Sequence, residues 1–80
     1  TLTYKYLVFP DGDEVEIDHD LRIDQMVDLN GRPLALPLRT ARTIAYRVSR
    51  IVKRESRGEE NRYFYLELIP AADLESFVRR

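Results

Sequence analysis

The chain has 80 residues, a net charge of −1, 44% hydrophobic residues and no cysteine. A chain of this length forms one domain, which sets the whole of residues 1–80 as a single unit, and such a domain buries only about 60% of the surface its unfolded chain exposes. Composition excludes a disordered chain, a disulfide scaffold and a thiolate metal site, so stability must come from apolar packing or from a partner subunit.

Leu2 to Phe9 is rich in aromatic and β-branched residues and runs into Pro10-Asp11-Gly12, which supplies a fixed φ and then a φ > 0 position. The spacing predicts a strand and a hairpin turn. The return, Glu14-Val15-Glu16-Ile17-Asp18, alternates strictly, which predicts Val15 and Ile17 on the core face and the carboxylates in solvent. The stretch from Thr3-Tyr4-Lys5-Tyr6 to Glu16 resembles the opening hairpin of the small FmdB-type regulatory proteins, where a Tyr-x-Tyr strand enters a zinc knuckle. At the two cysteine positions of that family this chain has Val8 and Asp11, so zinc binding does not carry over and the resemblance implies hairpin geometry alone.

His19 to Leu29 fits two patterns. Leu21, Met26 and Leu29 suit a short helix, whereas Ile23, Gln25, Val27 and Leu29 alternate as in a strand. Asn30-Gly31 favours a hairpin, so a strand over about Asp24 to Leu29 is expected. Pro33 and Pro37 remove two backbone donors around Leu34-Ala35-Leu36, which makes this an edge strand or an extended connection whose leucines cover the end of the core.

Arg42 to Arg54 and Arg62 to Ile69 form the clearest pair, a long hairpin joined by the polar segment Glu55 to Asn61 with Gly58 at its middle. In the second arm Phe64, Leu66 and Leu68 share one parity and Tyr63, Tyr65 and Glu67 the other. In the first arm Ile44, Tyr46 and Val48 keep one parity and Ile51 takes the opposite one, the signature of a β-bulge near Ser49-Arg50. Finally Pro70 leads into Leu74, Phe77 and Val78, an i, i+3, i+4 pattern that predicts a short helix plugging one end of the sheet.

The expected fold is mainly β: a small antiparallel barrel or strongly curved sheet of about five strands, SH3-like or OB-like in topology, with a short C-terminal helix. An α+β sandwich is the alternative if residues 19–29 are helical. The longest apolar stretches, Tyr6 to Pro10 and Leu34 to Leu38, are too short to cross a bilayer and no signal peptide is seen, so no membrane association and a cytoplasmic location are expected.

No catalytic motif is present. His19 is the lone histidine, within Asp18-His19-Asp20, and reads as a solvated loop, not a metal site; the three glycines lie singly in turns, so no phosphate loop exists. The expectation is a non-enzymatic protein with no cofactor and no metal.

Charge is distributed in blocks. Thr1 to Asn30 holds eight acids against two bases, and Gly31 to Gly58 holds eight bases against Glu55 alone. Arg47, Arg50, Lys53, Arg54 and Arg57 follow one another toward the hairpin tip while Tyr63 and Tyr65 return beside them. This basic, tyrosine-bearing hairpin, residues 42–69, is the candidate working surface. It suits a protein partner or a second copy of the chain as a homo-oligomer. The other reading is weak, sequence-tolerant binding of RNA or single-stranded DNA, against which stands a sequence pI near 5.8.

Overall fold

The structure is a computed structural model that describes residues 2–78. Five strands, β1 (Leu2–Val8), β2 (Glu14–Ile17), β3 (Met26–Val27), β4 (Tyr46–Ser56) and β5 (Glu59–Leu68), form one sheet in the order β2-β1-β5-β4-β3. The sheet is curled into a half-barrel, and a short helix, α1 (Ala71–Leu74), continues as a 3₁₀ turn over Glu75–Phe77. The mainly β reading with a curved sheet and a C-terminal helix is therefore what forms. One of the four pairings is parallel, β1 against β5, and residues 19–29 contain no helix.

The long hairpin is longer than its sequence suggested and its turn is shorter. Arg57 and Gly58 alone make the turn, with φ of 45° and 82°. Two positive φ values in a two-residue loop match the right-handed twist of the flanking strands, so Glu55, Ser56, Glu59, Glu60 and Asn61 are free to pair. The β-bulge falls where the parity break placed it, with the register shifting between Val48 and Arg50. Ser49 is the extra residue, and its hydroxyl donates to the Tyr65 carbonyl at 3.1 Å. The first arm begins at Tyr46 and not at Arg42, leaving Ile44 outside the sheet and 48% exposed.

Pairing of β1 to β5 starts at the hairpin turn, where the Leu2 amide donates to the Gly58 carbonyl at 2.9 Å, and runs to Val8 opposite Tyr65. The strand expected over Asp24 to Leu29 shrinks to Met26–Val27, because Asp24 adopts φ 68° and the chain turns back at Asp28. There the Asp28 carboxylate accepts from the Asn30 and Arg32 amides at 2.8 and 3.0 Å, which holds the turn that brings Pro33 beside Val27. Pro33 forms only this isolated bridge, as a residue without an amide donor must.

The concave face carries the first core cluster, Leu7, Leu21, Val27, Val48, Phe64 and Leu66, with Phe9, Ile17, Tyr46 and Ile51 packed against it. A second cluster of Met26, Leu38, Ala45, Ile69 and Leu74 lies under the helix, joined by Leu34, Ala41, Phe77 and Val78. The helix thus closes one end of the half-barrel, with Leu38 donating to the Phe77 carbonyl at 2.7 Å. Each fully buried Leu or Phe contributes about 1.5–3 kcal/mol relative to exposure, so these eleven buried side chains carry the domain.

Two residues expected in the core are outside it. Val15 points to the concave side opposite Leu7 yet is 45% exposed, because β2 has no neighbour on its outer side. Leu68 is 55% exposed at the strand exit, where Phe9, Leu29 and Tyr46 line an open cleft with it. Of the proline-flanked leucines, Leu34 and Leu38 join the second cluster but Leu36 is exposed.

Gly31 is buried at φ 77°, and a Cβ there would overlap Leu7 Cδ1, whereas Gly58 at φ 82° faces open space. Both positions carry the left-handed strain of about 1–2 kcal/mol for an alanine, and only Gly31 adds a clash with a core side chain. Gly31→Ala is therefore expected to lower unfolding free energy in urea clearly more than Gly58→Ala. Equal losses would show that the Asp28–Arg32 turn does not seat on Leu7.

Candidate protein-interaction face

Which side chains share a face follows from the registers. Tyr6 lies opposite Tyr63 and Glu16, Tyr63 opposite Val52, Val8 opposite Tyr65 and Glu14, and Tyr65 opposite Arg50. The outer, convex face therefore reads Glu16-Tyr6-Tyr63-Val52 in one row and Glu14-Val8-Tyr65-Arg50 in the next, with Tyr4-Asn61-Arg54 flanking them. Carboxylates stand at one margin, tyrosines in the middle and guanidinium groups at the other margin.

The aromatic groups are held against one another and against the arginines. The Tyr6 and Tyr63 rings stack with centroids 5.4 Å apart and planes 20° from parallel. The Arg50 guanidinium lies 4.2 Å from the Tyr65 ring centroid, and that of Arg54 lies 6.0 Å from Tyr63. Arg47 closes the row with a fork onto Glu67 Oε1, at 2.8 Å from Nε and 2.6 Å from Nη2. That hydrogen bond and charge raise the Arg47 pKa above its already high value, so the cation is permanent. Desolvation, followed by the charges of Glu16 and Tyr63, raises the Tyr6 pKa and keeps its hydroxyl neutral. The face is thus a patch of tyrosine rings bordered by charged side chains.

Of the seven residues singled out from sequence, Arg47, Arg50, Arg54, Tyr63 and Tyr65 come together here. Lys53 does not, because the bulge at Ser49 gives Ile51, Lys53 and Glu55 the concave parity, where Lys53 lies opposite Arg62. Arg57 sits in the turn and belongs to neither face. Tyr6 was missed, and Tyr4 with it. Their Tyr-x-Tyr alternation echoes Tyr63 and Tyr65, but nothing local in sequence places a strand against another more than 50 residues away.

The concave side of the same strands carries a separate ion cluster. Asp20 Oδ1 is 2.9 Å from Arg62 Nη1 and 3.4 Å from Lys5 Nζ, and Arg62 also donates to Glu60. The hydrogen bond to Glu60 leads in raising the Arg62 pKa. His19 is structural: its Nε2 donates to the Gly31 carbonyl at 2.8 Å, tying the loop after β2 to the Gly31 turn. Among the described residues no group of three or more His, Asp or Glu side chains is placed to hold a metal ion, and no helix is long and apolar enough to cross a membrane.

The charged strands β2 and β4 lie on opposite sides of the β1–β5 pair, although Asp24 of the acidic stretch sits beside β4 and acts on Arg47. β1 and β5 separate β2 from β4, three strand spacings or about 14 Å. That exceeds the Debye length of about 8 Å at physiological salt, so Glu14 and Glu16 do not neutralise Arg50 and Arg54 within one molecule.

A family model described as "Uncharacterised Treponema protein" matches residues 1–77, and the chain belongs to that family. No curated protein and no solved structure matches the chain.

The contact between Arg50 and Tyr65 is measurable. A double-mutant cycle with Arg50→Ala and Tyr65→Leu, read by urea unfolding, is expected to give a coupling of about 0.5–1 kcal/mol, the range for an exposed cation–π pair. Zero coupling would mean that the guanidinium does not rest on the ring in solution.

Proposed function

We propose that this member of the family is a non-enzymatic interaction module whose convex tyrosine–arginine face binds a protein partner or a second copy of the chain. The observation that carries the reading is the gathering of Tyr6, Tyr63 and Tyr65 with Arg47, Arg50 and Arg54 on one exposed side of the sheet. Tyr and Arg are the residue types that anchor protein interfaces. Here they are pre-ordered by stacking and cation–π contact, which reduces the side-chain entropy lost on binding.

The same face with RNA or single-stranded DNA is the second reading, and its own geometry favours the first. A base stacks on a free ring surface. Tyr63 is flanked by Tyr6 and Arg54, and Tyr65 lies under Arg50, so a base would first have to displace a neighbour.

The test compares the wild-type chain with Arg50→Glu/Tyr65→Ala and with Arg39→Glu, a charge reversal at an exposed residue away from the face. Circular dichroism confirms folding of each. Immobilised at equal density, the wild type and Arg39→Glu are expected to retain the same proteins from a lysate, while the face variant retains them at least about tenfold less. An identical set on all three chains, or strong binding of a thymidine oligonucleotide at low salt in place of any protein, would overturn the reading.

A further inference from the structure

Two strand edges are open, and they are complementary. β2 is the terminal strand of the sheet, so its outer side has no strand neighbour among the described residues. β4 is covered by β3 only at Tyr46 and Arg47, with Asp24 and Gln25 bonding Val48 beyond them. From Arg50 to Ser56 its outer side likewise has no strand neighbour among the described residues. Exposed edges of this length are templates for another strand, and their charges decide which strand.

We propose that the open edge of β4 takes the β2 edge of a second copy, in a parallel, head-to-tail pairing that continues the sheet from one molecule into the next. β2 and β4 both run antiparallel to the β1–β5 pair, so a copy that keeps its orientation presents β2 parallel to β4. The rows of the molecule already place Glu14 level with Arg50 and Val15 level with Ile51. At that level, with no stagger, the copy's Glu14 stands beside Arg50 and its Asp18 beside Arg54 on the convex face. On the concave face its Val15 meets Ile51, covering a valine that is otherwise 45% exposed. The register thus joins two pairs of opposite charge and one apolar pair, with Glu16 beside Val52 and Ile17 beside Lys53 between them.

The other strand pairings are blocked by the same residues. A twofold β4–β4 contact brings Arg50, Lys53 and Arg54 against their equivalents, and a β2–β2 contact does so with Glu14 and Glu16; like charges opposite one another on adjacent strands destabilise. Only the head-to-tail union joins unlike edges. It leaves one free edge at each end, so growth does not stop at a dimer, and strand twist winds the product into a helical array. The pairing rests on the reading that the chain binds through its basic hairpin, and it adds the strand edge as the point of attachment and a second copy as the occupant.

Sedimentation velocity over roughly 10 µM to 1 mM protein tests the pairing at about 50 and 500 mM salt. The wild type is expected to show an average mass that rises continuously with concentration at low salt and falls at high salt. Glu14→Lys/Asp18→Lys and Arg50→Glu/Arg54→Glu should each lose association by at least about tenfold. Mixing the two variants, or placing all four changes in one chain, should restore it. A wild type that stays monomeric, a mass that stops at a dimer, or variants that fail to rescue one another would overturn the pairing. So would a monomeric chain whose β4 edge instead binds a synthetic acidic peptide of alternating Glu and Val. If the wild type is monomeric yet Arg50→Glu/Tyr65→Ala still loses its captured proteins, the self-pairing falls and the contact-face reading stands.

Discussion

Seven residues of β1 lie parallel against β5, from Leu2 beside Glu59 to Val8 beside Tyr65, and the rest of the molecule depends on that ladder. An isolated two-stranded hairpin is marginal in water, and the chain is built from two of them. The β1–β5 pairing fuses them into one sheet, with β5 as its central strand. Leu7 and Phe64 become neighbours on the concave face, and Tyr6 and Tyr63 on the convex one. The core and the proposed contact face are therefore two sides of a single backbone interaction.

Apolar burial ends where the charges begin. On the concave side Phe64 and Ile51 face each other in one row, and the next rows toward the tip are Lys53 with Arg62 and Glu55 with Glu60. Beyond them the hairpin projects without a buried residue, and the domain is correspondingly long, 50 by 22 by 17 Å. Segments with few buried contacts open at low free-energy cost. The basic arm thus combines a firmly packed base at Val48 and Leu66 with an adaptable tip, and the open edge of β4 spans the two.

Much of this was legible in the sequence, and the exceptions share a physical cause. The long hairpin, its bulge and the terminal helix could be read because each rests on local signals: alternation, a parity break and an i, i+3, i+4 pattern. The bulge also sorts the cations, since a core-facing Ile51 obliges Lys53 to share its side and frees Arg50 and Arg54 to join the tyrosines. The parallel partner of β1 has no local signal, so the membership of Tyr6 in the face could not be read. Val15 and Leu68 alternate correctly but lie at the rim of a half-barrel, where the right parity does not ensure cover. The block charge pattern marked β2 and β4 as electrostatic opposites, and only strand order shows that they are too far apart to neutralise each other.

The most direct test of the central claim is a nuclear Overhauser spectrum of the isotopically labelled chain. The parallel ladder predicts cross-peaks between the Tyr6 and Tyr63 rings, between Leu2 and Glu59 at one end, and between Val8 and Tyr65 at the other. Cross-peaks joining Leu2 to Tyr65 and Val8 to Glu59 would reverse the strand, remove Tyr6 from its place on Tyr63 and contradict the account.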